Sequence, residues 1–173
     1  MITGSVPASM SLCQSLSALD LSHNRLTGTL DTGLGRLCLL SRVDVSFNGL
    51  DHFAELSSGS PALPCPVTGE TSANPTFPAA VSIDLSSNKS SGTCPKGGQL
   101  ALHQARQLQF LDLSNNSFTG DLPSLAPPDG ESSRLRIVSL GVNQFSGGIN
   151  ATGAFPADSG LQTLDLRSNL LVG

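Results

Sequence analysis

Six times the chain repeats one phrase: an apolar residue, two variable residues, an apolar, one variable, an apolar, two variable, then asparagine. The asparagines are Asn24, Asn48, Asn88, Asn116, Asn143 and Asn169, at spacings of 24, 40, 28, 27 and 26 residues. Self-similarity at a period of roughly 20 to 50 residues marks a solenoid. One such unit cannot bury its apolar face alone, so each coil must stack on its neighbours.

The unit ending at Asn116 shows the physics of one coil. Alternation across Leu111, Asp112 and Leu113 has the period of two expected of a strand, with the leucines inward and Phe110, Asp112 and Ser114 outward. Equivalent triplets are Leu19-Asp20-Leu21, Val43-Asp44-Val45, Ile83-Asp84-Leu85, Val138-Ser139-Leu140 and Leu164-Asp165-Leu166. Stacked, they form a parallel sheet. The backbone then turns away from the sheet and leaves polar groups without ladder partners. A buried asparagine side chain carries both donors and an acceptor and can satisfy them in every coil. The six asparagines are therefore read as structural. Glycine recurs four residues later as Gly28, Gly92, Gly120 and Gly147, at a turn that needs positive φ or close backbone approach.

These residues resemble the leucine-rich repeat family. The phrases Asn24-Arg-Leu-Thr-Gly28 and Asn116-Ser-Phe-Thr-Gly-Asp-Leu-Pro123 are similar to its plant-type subfamily, known from ectodomains of receptor-like kinases and receptor-like proteins and from wall-associated inhibitors. Asp31 and Asn150 depart from the pattern by replacing its proline, and His52 stands where the second unit should carry glycine. The resemblance implies an α/β solenoid: a curved parallel β-sheet on the concave face, with mostly irregular, short helical or 3-10 return segments.

Counting from the asparagines gives a register. The array is expected to fill residues 1–173 and to be incomplete at both ends, since the chain opens in mid-repeat and Gly173 aligns with Gly147. As a segment without polar caps it is expected to be aggregation-prone alone. The long interval holds a loop insertion at 51–80, rich in proline and serine. Residues 98–107 read as return-side variation with a short helix as one option. Cys13, Cys38, Cys65 and Cys94 are too far apart for a paired-cysteine metal motif. A Cys13–Cys38 bridge is one reading, and burial of each as a small apolar residue is the other.

A net charge of −4 and nine scattered basic residues offer no stripe for nucleic acid. No apolar run reaches the roughly 20 residues of a membrane span, so this segment is expected to make no membrane contact of its own. No phosphate-binding loop, nucleophile elbow or zinc-protease motif is present, and His23, His52 and His103 fall in different repeats. Neither catalysis nor a cofactor or metal is expected.

Function is therefore sought in the positions that the repeat leaves free. Phe110 and Ile137 share an outward position on adjacent strands, beside Asp112. Phe47 and Val142 immediately precede their asparagines, where other units carry Ser87 and Asn115. Phe110, Asp112, Ile137, Val142, Phe47 and Asp84 are the candidate partner-binding residues, because exposed apolar clusters mark interaction sites. Asp20, Asp44, Asp84, Asp112 and Asp165 form an outward column broken by Ser139; mutual repulsion should raise some of their pKa values and favour a cationic partner. Asn115 and Asn150 are the expected glycan acceptors, whereas Asn88 should be inaccessible. The leading expectation is a protein- or peptide-binding module of a cell-surface receptor-like protein. The alternatives are an intracellular scaffold and a secreted inhibitor of an extracellular enzyme.

Overall fold

The computed structural model describes residues 1–30, 32–53, 77–93, 105–125, 132–149, 155 and 160–173. Among them, short strands alternate between two sides of each coil. In chain order these are β1 (Thr3–Gly4), β2 (Ala18–Asp20), β3 (Arg25–Leu30), β4 (Arg42–Asp44), β5 (Gly49–Phe53), β6 (Ser82–Asp84) and β7 (Ser91–Thr93). They continue as β8 (Phe110–Asp112), β9 (Ser117–Gly120), β10 (Ile137–Ser139), β11 (Gln144–Gly148), β12 (Thr163–Asp165) and β13 (Leu170–Val172).

The first residue triplet of each coil builds a six-stranded parallel sheet in the order β12-β10-β8-β6-β4-β2. Its central side chains, Leu19, Val43, Ile83, Leu111 and Val138, are buried, while Leu164 on the edge strand is 40% exposed. β4 and β6 pair in register across the 40-residue interval, Val43 against Ile83, so the solenoid is continuous there. Asp51 to Phe53 belong to β5, and Phe77 and Ala80 are core residues, so both ends of the 51–80 segment are part of the coil. Residues 54–76 lie outside the described residues, as does most of the expected helix at 98–107.

A second tier of parallel pairing, which the phrase itself did not reveal, follows each asparagine: β1-β3-β5 on one part of the array and β13-β11-β9-β7 on the other. Here the alternation points Leu26, Leu50, Ser90, Phe118 and Phe145 inward. Phe53, Phe118 and Phe145 form an aromatic spine with ring centroids 6.0 and 6.1 Å apart. Ser90, fully buried in the intervening coil, is too small to separate Phe53 from Phe118, and its hydroxyl donates to Leu50 O at 3.1 Å. Gly28, Gly92, Gly120 and Gly147 all have positive φ, between 79° and 111°. At Gly147 a Cβ would stand 2.6 Å from Asp121 Oδ1.

The 3-10 turns Ala8–Leu12 and Thr32–Arg36 are the helical elements among the described residues, and Leu34, Leu37 and Leu40 around the second are buried. No described helix is long and apolar enough to cross a membrane. The cysteines correct the sequence reading. Cys13 is exposed and free, neither bridged to Cys38 nor buried. Cys38 is disulfide-bonded.

Candidate partner-binding face

Register pairing places the free positions of successive coils in straight columns across the six-stranded sheet. One column runs Ala18, Arg42, Ser82, Phe110, Ile137, Thr163. Phe110 and Ile137 are direct neighbours in it, both half-buried, because parallel pairing stacks equivalent residues about 4.8 Å apart. The next column runs Asp20, Asp44, Asp84, Asp112, Ser139, Asp165.

All five aspartates hold the turn that follows. Oδ1 of Asp20, Asp44, Asp84 and Asp112 accepts the backbone N–H of Ser22, Ser46, Ser86 and Ser114 at 2.8–3.1 Å. Asp165 does the same for Arg167, whose guanidinium Nε also lies 3.3 Å from Asp165 Oδ2. Side-chain and backbone hydrogen bonds from Ser22 hold the Asp20 carboxyl below its ordinary range. Asp84 is shifted upward, chiefly by burial; the Ser86 hydrogen bonds oppose the shift, while Asp112 and Asp44 add to it. Desolvation rather than like-charge repulsion is therefore the leading cause of the one upward shift. The fifth coil lacks this latch altogether, with Ser139 and Gly141 in place of aspartate and serine. A Cβ at Gly141 would meet Asp165 Oδ1 at 3.0 Å and Arg167 Cγ at 3.1 Å.

A third column precedes the asparagines: His23, Phe47, Ser87, Asn115, Val142 and Ser168, every one with φ of 52–56°. From His23 to Val142 the N–H groups of these left-handed residues continue the ladder: Phe47 N–H donates to Ser86 O, and Val142 N–H to Arg167 O. Phe47 is 52% exposed and Val142 41%. The imidazole of His23 stacks on Phe47 with centroids 4.4 Å apart and planes 9° from parallel. The structure thus brings Phe110, Ile137 and Asp112 together. It sets Val142 at the far edge of the same coils, and Phe47 and Asp84 on coils two and three.

The asparagines point the other way. Each Oδ1 accepts a backbone N–H of the preceding coil: Ile2, Leu26, Leu50, Ser90, Phe118 and Phe145 donate to Asn24, Asn48, Asn88, Asn116, Asn143 and Asn169 at 2.7–3.1 Å. The Nδ2 groups donate to carbonyls of their own turn, and from Asn48 onward also to one in the preceding coil. Asn88 is buried, whereas Asn115 is exposed and its Nδ2 donates to Ser87 Oγ at 3.2 Å. Asn150 lies outside the described residues.

Sequence reasoning missed two features of this face. One is the His23–Phe47 stack, visible in the sequence only once both are assigned to one column. The other is a cavity of about 510 Å³ lined by Gln109, Ser133, Arg134, Arg136, Gly160 and Gln162, at the entrance to the strands that carry Phe110 and Ile137. Arg134 Nη1 donates to Gln107 Oε1 at 2.7 Å there. Its sequence signal is the pair of arginines two residues apart, just before β10.

Columns of free residues on a parallel sheet, backed by an asparagine ladder, define a leucine-rich repeat array. The leucine-rich repeat family model matches residues 15–37 and 107–127. The chain belongs to this family, in its plant type. It is 34% identical over 150 residues to Receptor-like protein 41 of Arabidopsis thaliana, covering 84% of this chain and 14% of that protein. Receptor-like protein 7 of the same plant is 32% identical over 136 residues, covering 79% of this chain and 11% of the relative. The chain therefore spans only a small part of the relatives it matches. Among solved structures, the ectodomain of the Arabidopsis receptor kinase HAESA, in complex with an extended IDA peptide hormone, superposes with a TM-score of 0.66. That match is 22% identical and covers 98% of this chain and 24% of the other, a likeness of fold.

Proposed function

We propose that this chain is a ligand-binding segment of a receptor-like protein at the cell surface, and that it binds an extended peptide or protein segment across coils four to six of its concave sheet. The observation that carries the reading is the register-paired Phe110 and Ile137, flanked in their column by Ser82 and Thr163 and bordered by Asp112 and Ser139. Around them the fifth coil replaces the aspartate latch with Ser139 and Gly141, leaving a shallow break in the acidic column, and Gln109 and Arg136, the residues just before the pair in sequence, line the cavity. An apolar side chain of a bound segment fits the pair, with polar groups on either side to orient it. Relatives that are receptor-like proteins support this reading. The Cys38 disulfide supports an oxidising compartment over the cytoplasmic scaffold, because such bonds are rare where thiols are kept reduced. The mechanism is complementarity of surfaces rather than bond chemistry.

The test is selection of peptides from a random display library on the full chain, followed by calorimetric titration of the best binder. Phe110→Ala with Ile137→Ala should weaken it at least about tenfold, as expected for central apolar anchors. Unchanged affinity in a variant that melts like the parent would refute the assignment.

A further inference from the structure

The column that holds His23 and Phe47 contains an unfilled step. Rings on adjacent coils stack here because the column advances by one inter-strand spacing, and the 4.4 Å separation of His23 and Phe47 matches that rise. The third position is Ser87, whose side chain is too short to continue the stack. One face of Phe47 is thus covered by imidazole and the other looks along the column over Ser87 towards Asn115, whose backbone is roughly two spacings, or 10 Å, away and whose side chain reaches back to Ser87. A gap of that width admits one planar group. Its floor is the Ser87 hydroxyl, held by Asn115 Nδ2 at 3.2 Å. The aromatic wall does not need to be organised on binding, since the left-handed φ of Phe47 is fixed by its N–H bond to Ser86 O at 3.1 Å and its ring is backed by His23.

The adjacent column gives this gap its sign. Asp44 and Asp84 stand on the same two coils as Phe47 and Ser87 and are register-paired. Their Oδ1 atoms are occupied by the turns. Among the described residues, Asp44 Oδ2 is met by the exposed Arg42 guanidinium, at 3.9 Å. We propose that the gap over Ser87 seats the guanidinium of an arginine from a protein or peptide partner, stacked on the free face of Phe47 with Asp44 and Asp84 as counter-charges. Guanidinium satisfies both requirements at once, being flat and always charged; lysine is not planar, and a neutral ring gains nothing from the carboxylates. The upward shift of Asp84 is consistent with a place where an added cation lowers the electrostatic cost. This seat rests on the same reading of the concave side as a binding surface, but it lies on coils two and three, away from Phe110 and Ile137.

The experiment is an NMR titration of the full chain with N-acetyl-arginine methylamide, following the ring signals of His23 and Phe47. The lysine and tyrosine analogues serve as comparison probes. Saturable shifts of both rings are expected, with arginine binding about two- to fivefold more tightly than lysine. Phe47→Ala should abolish the response. Ser87→Phe, which fills the gap at a position where the column already tolerates phenylalanine, should abolish it too, and Asp84→Asn should weaken it. Equal responses to lysine and arginine would reduce the site to its charge, stronger binding of the tyrosine probe would assign an aromatic partner, and shifts that survive Phe47→Ala would place the site elsewhere; each overturns the proposal. Phe110→Ala with Ile137→Ala should leave this titration unchanged, so loss of the arginine seat and loss of the peptide-binding reading are separate results.

Discussion

Replacing Asn143 measures what the ladder contributes. Asn143 is 8% exposed and makes four hydrogen bonds. Its Oδ1 accepts Phe118 N–H at 3.0 Å, and its Nδ2 donates to Leu113 O, Leu140 O and Gly141 O at 2.9, 3.1 and 3.3 Å. The three carbonyls are not orphaned by its loss. Leu113 O keeps Asn116 Nδ2, Leu140 O keeps Asn169 Nδ2, and Gly141 O keeps the N–H of Asn115. Phe118 N–H alone loses its partner, inside the coil. An unsatisfied buried donor costs about 1–3 kcal/mol, and the weakened carbonyl contacts add roughly 1 kcal/mol. Asn143→Ala should therefore destabilise the chain by about 2–4 kcal/mol in urea denaturation, with the Phe118 amide among those most accelerated in hydrogen exchange. Asn143→Asp should be worse at neutral pH, because a carboxylate oxygen then faces three carbonyls. Its folded-state pKa would be raised, so the deficit should shrink as pH falls through that value and the carboxyl regains a donor proton. A loss below about 0.5 kcal/mol for alanine, or an aspartate variant as stable as the parent at pH 7, would refute the ladder as described.

Three further outcomes follow from the same geometry. Asp84 is raised in the folded state by burial, so it favours folding when protonated and this contribution is lost as pH rises through its folded pKa. Asp84→Asn should then raise the melting temperature at pH 7, with the gain disappearing well below the ordinary value of 3.8. Without reductant, Cys13 should react with iodoacetamide in the native chain and Cys38 should not; reduction should lower stability by about 2–4 kcal/mol, read by denaturation. If the chain is passed through a secretory pathway, glycopeptide mass spectrometry should find Asn88 bare, since Asn88 Nδ2 is committed to Val45 O, Leu85 O and Ser86 O.

The concave sheet was legible because one buried amide per coil fixes the backbone on both sides of it, so counting from Asn116 or Asn143 places every neighbour. Phe110 and Ile137 were found in this way as partners on adjacent strands. The second tier of pairing was not found, since Gly28, Gly120 and Gly147 interrupt the alternation and read as turns, although the backbone stays paired through them. The state of Cys38 was beyond reach for a different reason: spacing constrains a bridge only when the coils between are regular, and the long interval follows that residue. The aspartate column was seen, but the cause of its one upward shift was not, because burial at Asp84 depends on how closely coils two to four pack rather than on the charges themselves. The His23–Phe47 stack needed the left-handed turn as well as the register, which brings two rings that are 24 residues apart within 4.4 Å.

Hydrogen–deuterium exchange of the full chain, with and without a selected peptide, tests the central claim that the concave columns are the binding surface. Protection is expected in residues 109–115 and 136–142, which carry Phe110, Asp112, Ile137 and Ser139. Protection confined to Ser117–Gly120 and Gln144–Gly148 on the second tier, with the concave strands unchanged, would contradict it.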